Sequence, residues 1–116
     1  MKKMSIVYLA INTDSVISAA IGESQTIICK IGETKHSDVR ASQLKQKGER
    51  IDLYKNVPDN ASLRKALEAY LRLHIDAFDD AQLFGTDHFR MSLATYNKVR
   101  QNFFTWLDIN LNEHYQ

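Results

Sequence analysis

A lysine placed inside an apolar strand needs a chemical or structural reason, and Lys30 is such a residue. It interrupts the run Thr26-Ile-Ile-Cys-Lys-Ile31, where an unpaired ammonium would cost several kcal/mol on burial. Tyr8 sits mid-way along the other apolar run, Ile6 to Ile11. If the two runs pair as neighbouring strands, one register puts Tyr8 and Lys30 on one face with Cβ atoms about 5 Å apart. An ammonium beside a phenol favours the phenolate and lowers its pKa. The alternative is a lysine that snorkels from a strand end beside Gly32, with the tyrosine filling core.

Two further side chains complete the chemical set. Arg40 follows Lys30 by ten positions and shares a helical side with Ala41 and Leu44, so it borders the buried face. A guanidinium held there offers a planar fork of donors for a phosphate, or it pairs with Asp38 or Glu33. Glu68 lies on the flank of a later helix, four residues from both Arg64 and Arg72. It could form ordinary ion pairs worth about 0.3–0.5 kcal/mol each, or it could hold a hard divalent cation whose shell water completes. His74 falls on an apolar stripe and reads as a core histidine. His36, His88 and His114 show no zinc spacing with one another or with Cys29.

Charge and composition narrow the partners. The 116 residues carry a formal charge of only +1, too little to draw the whole molecule to nucleic acid. The segment 30–55 nevertheless holds seven bases against four acids, and 58–89 holds three against six. Such segregation suits a phosphate beside a cation, and it also suits a merely solvated surface. At 44% hydrophobic and 25% charged the chain is a globular domain, neither disordered nor collagenous. No apolar run approaches the roughly 18 residues of a membrane span. The basic start Met1-Lys2-Lys3 is followed by too short an apolar run for a secretory signal. A single cysteine, Cys29, forms no internal disulfide and no thiolate zinc cage, so a reducing, cytoplasmic setting is expected.

The elements that must position these residues follow from periodicity. Ser5 to Ile11 is apolar on both faces and reads as a central strand; Thr26 to Ile31 is its partner. The connection between them, Asn12 to Gln25, is long, and Val16 to Ile21 within it is apolar enough for a helical turn packed on the sheet. Ser37 would cap a short helix that Gly48 ends. Arg50 to Val57 alternates, with Ile51 and Leu53 opposite Asp52 and Tyr54, as an edge strand stopped by Pro58. Asn60 would cap a helix to about Ile75, with its stripe at Leu63, Ala66, Leu67, Tyr70, Leu71 and His74. Asp79 to Asp87 reads as turns anchored by Phe84 and Phe89. Ser92 would cap a long amphipathic helix from about 92 to 112, with Tyr96, Val99, Phe103, Trp106, Leu107 and Leu111 on its apolar side. The whole is one α+β domain over residues 1–116: a small three-stranded antiparallel sheet flanked by helices, plus the C-terminal helix.

Ile6-Val-Tyr-Leu9, Lys30-Ile-Gly-Glu-Thr34, Arg40 with Leu44, Leu67-Glu68 and Gly85-Thr-Asp-His-Phe89 together resemble the GIY-YIG nuclease superfamily. The branch is the phage and mobile-element one, whose second motif reads Lys-Ile-Gly, and the resemblance covers about residues 5–90. The first motif here reads Ile-Val-Tyr, Leu44 stands where some members have histidine, and Asp87-His88-Phe89 stands where the branch often has Glu-Trp-Phe. The resemblance implies a three-stranded sheet with helices and a metal-dependent hydrolysis of DNA phosphodiesters. Tyr8 would activate or position the attacking water, Lys30 would bond that water or a phenolate, Arg40 would bind the scissile phosphate, and Glu68 would hold Mg²⁺ or another divalent cation such as Mn²⁺. Gly32 would allow close backbone approach, and Lys35, Lys45 and Lys47 of the basic segment would contact DNA. The alternative is a catalytically weak or inactive scaffold that binds DNA or protein. A homodimer through the aromatic C-terminal helix, or a separate targeting partner, would then supply what the neutral net charge does not; the same helix could instead simply cover the sheet.

Overall fold

The computed structural model describes residues 5–22 and 26–114; the basic start Met1-Lys2-Lys3 and the end of the connection at 23–25 lie outside the described residues. Nine elements follow one another: β1 (Ser5–Asn12), α1 (Thr13–Ala20), β2 (Thr26–Thr34), α2 (Ser37–Gln46), β3 (Glu49–Val57), α3 (Ala61–Asp76), β4 (Gln82–Phe84), β5 (His88–Ser92) and α4 (Leu93–His114). The strands form one sheet in the order β3-β1-β2-β5-β4, with antiparallel neighbours throughout. The α+β class and the long C-terminal helix are therefore present. The expected three strands are the β3-β1-β2 part of a five-stranded sheet.

The two added strands form a hairpin over 82–92, and β4 falls inside the stretch Asp79 to Asp87 where turns alone are expected. Gly85, at φ 69°, makes the reversal that a side chain would disfavour. β4 is only three residues long and wholly exposed, so it has no buried face to generate a period. β5 does alternate, with Phe89 and Met91 inward. Phe84 is not an anchor: it is exposed, with the Arg90 guanidinium 4.4 Å from its ring.

β1 runs between β3 and β2 with every residue from Ser5 to Ile11 buried. Its odd residues, Val7, Leu9 and Ile11, join Ile27, Cys29 and Ile31 of β2 in the main core, against Leu63, Leu67, Leu71 and Ile75 of α3 and Tyr96, Val99, Phe103 and Leu107 of α4. Its even residues, Ile6, Tyr8 and Ala10, face the other way and meet Leu44 of α2, with Ile51 at the margin. Helices thus cover both faces, but only α2 lies over the even one, where Tyr8, Lys30 and Arg40 collect, while Glu68 belongs to α3 on the odd face.

Local chemistry sets the element ends. The Asn12 side chain accepts from Ser15 N at 2.9 Å and starts α1, which is a full two turns rather than one. Asn60 accepts from Leu63 N at 3.0 Å to start α3, and Ser92 accepts from Thr95 N at 3.1 Å to start α4, as expected of these caps. Ser37 is instead the first helical residue of α2; His36 occupies the cap position and makes no side-chain cap bond. Past the other end, Gly48 takes φ 75°.

β3 also differs from its expected phase. Its register with β1 shifts between Leu53, opposite Leu9, and Ile51, opposite Ala10. Asp52 is the extra residue of a bulge. Ile51 and Leu53 therefore fall on opposite faces, and Asp52 turns to accept from Tyr96 Oη at 2.5 Å and to pair with Arg100 Nε at 2.8 Å. His74 is exposed and stacks on Trp106 at 4.8 Å; Ile75, not His74, continues the buried stripe. No helix among the described residues is long and apolar enough to cross a membrane.

Candidate active site

β5 pairs with β2 only from Thr26 to Lys30. Beyond that point, from Ile31 to Thr34, β2 has no strand on that side among the described residues. The result is a notch in the sheet at Ile31–Thr34, where Arg40 of α2 reaches the Glu33 carbonyl and Arg64 of α3 reaches the Glu33 carboxylate. The chemically interesting residues line this notch and the even face beside it.

Tyr8 lies opposite Gly32, and Lys30 lies opposite Ala10. Tyr8 and Lys30 do share a face, as diagonal rather than direct partners, which places them roughly 7 Å apart instead of 5 Å. Gly32 has a specific reason to be glycine: a Cβ there would lie 2.3 Å from both Cζ and Oη of Tyr8. The phenol ring lies flat over the bare backbone, so the close approach is made by Tyr8 itself.

Arg40 completes the arrangement from α2. The Thr34 hydroxyl accepts from His36 N at 3.0 Å, fixing the turn that leads from β2 into the helix. One turn later the Arg40 Nη1 group donates to Tyr8 Oη at 2.8 Å and to the Glu33 carbonyl at 3.2 Å. It is thus the Glu33 backbone, and neither carboxylate of Asp38 or Glu33, that holds Arg40. A guanidinium has five N–H donors; the Nε and Nη2 hydrogens of Arg40 have no partner among the described residues, and the side chain is half-buried.

Tyr8 itself is 0% exposed. Burial is the leading influence and pushes its pKa above the usual 10.0; the Arg40 hydrogen bond and charge pull it down, and Glu68 and Glu49 push it up again. The expectation of a phenol pKa lowered by Lys30 is therefore corrected, because enclosure in low dielectric outweighs the Arg40 guanidinium, the cation that does act on it. At neutral pH Tyr8 is a neutral phenol that accepts from Arg40.

Glu68 approaches from α3, the helix of the main core, past the notch. It is half-buried, and burial foremost raises its pKa; the Glu33 and Asp87 charges add to this, while Arg72 and Lys30 act against it. Its charge acts weakly on Tyr8, but α3 packs on the odd face of the sheet, the opposite face from Tyr8, Lys30 and Arg40. Arg72 Nη1 is 3.8 Å from Glu68 and 3.9 Å from Asp87, and its Nη2 donates to the Thr86 carbonyl at 3.1 Å. Arg64, four residues before Glu68, turns away to Glu33 at 2.6 Å and Asp59 at 2.8 Å.

No group of three or more His, Cys, Asp or Glu among the described residues forms a metal cage. The donor set fits magnesium nonetheless: this ion is commonly held by one or two carboxylates with water and substrate phosphate. Glu68 is a carboxylate whose ionised form is disfavoured by burial and by two neighbouring acids, a situation a bound cation relieves.

Gly32 and Arg40 are thus seated against Tyr8, Lys30 shares their face, and Glu68 is electrostatically coupled to it. Lys35, Lys45 and Lys47 are exposed, the first before α2 and the others at its C-terminal end. Sequence reasoning missed Glu33 and Arg64 as the link between α2 and α3, Arg72 with Asp87 on the far rim, and a pair formed by Glu49 and His88, whose ring Nε2 and carboxylate Oε2 are 2.8 Å apart. The last two are 39 residues apart with no shared motif, so only the sheet order brings them together. Comparison with protein-family models, with curated proteins and with solved structures finds no match.

Proposed function

We propose that this chain is a GIY-YIG-type endonuclease that hydrolyses DNA phosphodiesters with a divalent cation. The observation that carries this reading is the Arg40 fork: one nitrogen is tied to Tyr8 and to the Glu33 carbonyl, and three N–H donors are left to meet a phosphate. A guanidinium anchored on one side and open on the other is arranged for bidentate phosphate recognition. Lys30 supplies a second positive charge on the same face. Glu68 would hold Mg²⁺ or Mn²⁺, which supplies Lewis-acid stabilisation of the phosphate when bound. The exposed lysines Lys35, Lys45 and Lys47 would add sequence-independent contacts to the DNA backbone.

Within this reading Tyr8 has a narrower part than the resemblance implies. A neutral, fully enclosed phenol whose oxygen already accepts from Arg40 is a positioning residue for the guanidinium. Direct contact with water would require Arg40 to swing aside as it engages the phosphate.

Supercoiled plasmid incubated with the protein and Mg²⁺ or Mn²⁺ should be nicked or linearised, and EDTA, Glu68→Ala or Arg40→Ala should abolish this. Cleavage that persists in EDTA, or in Glu68→Ala, would refute the mechanism. The sealed Tyr8 favours a second reading, a binding module without hydrolysis. Salt-sensitive DNA binding that needs Arg40, with no cleavage in any divalent metal, would select it.

A further inference from the structure

One polar pair on the even face has no place in the four-residue set. Glu49, the first residue of β3, is opposite Asn12 of β1. His88, the first residue of β5, is opposite Lys30 of β2. With β1 and β2 between them, neighbouring strands at about 4.8 Å put their backbones roughly 14 Å apart. The two side chains close that span and meet at 2.8 Å between Nε2 and Oε2. Lys30, the strand neighbour of His88, lies opposite Ala10 of β1 on the same face. Only 5% of the Glu49 side chain is exposed, against 30% for His88.

This geometry has a definite polarity. An ionised carboxylate only accepts, so His88 donates Nε2–H to Glu49, and the second ring nitrogen, Nδ1, is left without a partner among the described residues. A buried acid that fixes the orientation of a half-exposed histidine is the arrangement by which enzymes hold a proton-transfer group. The pair also belongs to the site by position. Lys30 is its direct strand neighbour, and the Glu49 charge acts on Tyr8. The charged groups next to His88 are Glu49 from β3, Lys30 of β2 as its strand neighbour, and Asp87, which precedes it in the chain.

Resting on the nuclease reading, we propose that His88 is the acid that protonates the leaving oxygen of the cleaved ester, with Glu49 as its positioning residue. Water forms the new bond to phosphorus as the phosphorus–oxygen ester bond breaks. The electron pair of that bond passes to the departing oxygen, which takes the proton from Nδ1 of the imidazolium. The attacking water loses its proton to solvent, and solvent reprotonates the ring. A general acid of this kind contributes about 10²–10⁴-fold.

The test compares two substrates that differ in their need for that proton. On plasmid DNA, His88→Asn should lose about 10²–10⁴-fold in rate, and Glu49→Gln should lose activity in the same direction. On the p-nitrophenyl esters of thymidine 3′- and 5′-phosphate the leaving phenolate needs no proton, so both variants should stay within about fivefold of the parent. The parent's pH profile of kcat/KM on DNA should carry an alkaline limb that the ester profile lacks. The profile comparison needs no variant, so it holds even if His88→Asn folds poorly. Equal losses on both substrates, no loss on DNA, or the same alkaline limb for both would overturn the role of His88 while leaving the nuclease reading intact. A parent protein that cleaves neither substrate would instead overturn the nuclease reading itself.

Discussion

Gly32→Ala is the sharpest structural test of how the site is built. The added methyl would lie 2.3 Å from Tyr8 Cζ and Oη and 2.9 Å from Cε1, well inside van der Waals contact. Tyr8 is 0% exposed, so its ring has no free space in which to retreat, and overpacking of such a site costs about 1–3 kcal/mol. Displacing the ring also strains or breaks the 2.8 Å bond from Arg40; a charge-assisted bond is worth about 1.5 kcal/mol at a half-exposed site. Against this, alanine restricts the unfolded chain more than glycine and recovers about 0.4–1 kcal/mol. The clash wins, leaving a net loss of about 2–3 kcal/mol. With a urea slope of about 1.5 kcal/mol/M, the unfolding midpoint should fall by about 1.5–2 M. In a Tyr8→Leu background the clashing atoms are gone, so the same Gly32→Ala change should cost at least about 1 kcal/mol less. An unchanged midpoint, or an equal decrement in both backgrounds, would show that the ring does not depend on the bare backbone.

The remaining predictions concern charge. Glu68 has a raised pKa, so its ionised form opposes folding. Glu68→Gln should therefore stabilise the metal-free protein above the folded-state pKa, and the gain should vanish as pH falls below the ordinary carboxylate range of about 4.3, where both states are protonated. The same variant should lose the rise in thermal midpoint that Mg²⁺ gives the parent, and a parent indifferent to Mg²⁺ would remove Glu68 as a ligand. Arg64→Ala leaves Glu33 and Asp59 without their cation and should destabilise by about 2–3 kcal/mol in urea unfolding, whereas Arg100→Ala leaves the mostly buried Asp52 still held by Tyr96 and should cost less, about 1–1.5 kcal/mol. Replacing Lys35, Lys45 and Lys47 by Ala should lower the slope of log binding constant against log salt by about 2–3 for duplex DNA if all three meet phosphates; an unchanged slope would place the DNA elsewhere. Cys29 is buried, and its thiol is pushed up to about 12, so a thiol reagent at pH 8 should label it only after unfolding.

The parts of this molecule legible in the sequence are those where one face is buried and the pattern is long. β1, β2, α3 and α4 announce themselves through apolar runs or stripes, Asn60 and Ser92 mark the starts of the two helices, and Gly48 marks the end of α2. The β4–β5 hairpin was hidden because β4 buries nothing, and the phase of β3 was hidden because a bulge at Asp52 shifts the period within a nine-residue strand. The candidate site was legible in composition but not in geometry. Lys30 stood out as a charge among apolar residues, and Arg40 as a cation beside a buried stripe. Nothing local revealed that Tyr8 would be sealed, since that depends on Arg40 arriving from α2 and on Gly32 lying directly beneath the ring. Glu33 was visible as a partner for Arg40, yet it serves through its carbonyl, and its carboxylate is spent on Arg64.

That division of labour at Glu33 explains why the site sits where strand pairing stops. An unpaired stretch of β2 from Ile31 to Thr34 is an open edge, and open edges invite pairing with other chains unless charge or cover prevents it. Here one backbone carbonyl of that edge is taken by Arg40, and the Glu33 carboxylate beside it is bridged by Arg64 to α3. The groups that guard the edge are therefore the same groups that bring α2 and α3 to the notch, one delivering a guanidinium and the other, through Glu68, a carboxylate. Extending β5 by a few residues would close the edge and satisfy the backbone, so the short fifth strand is what leaves that edge to be guarded by Arg40 and Arg64.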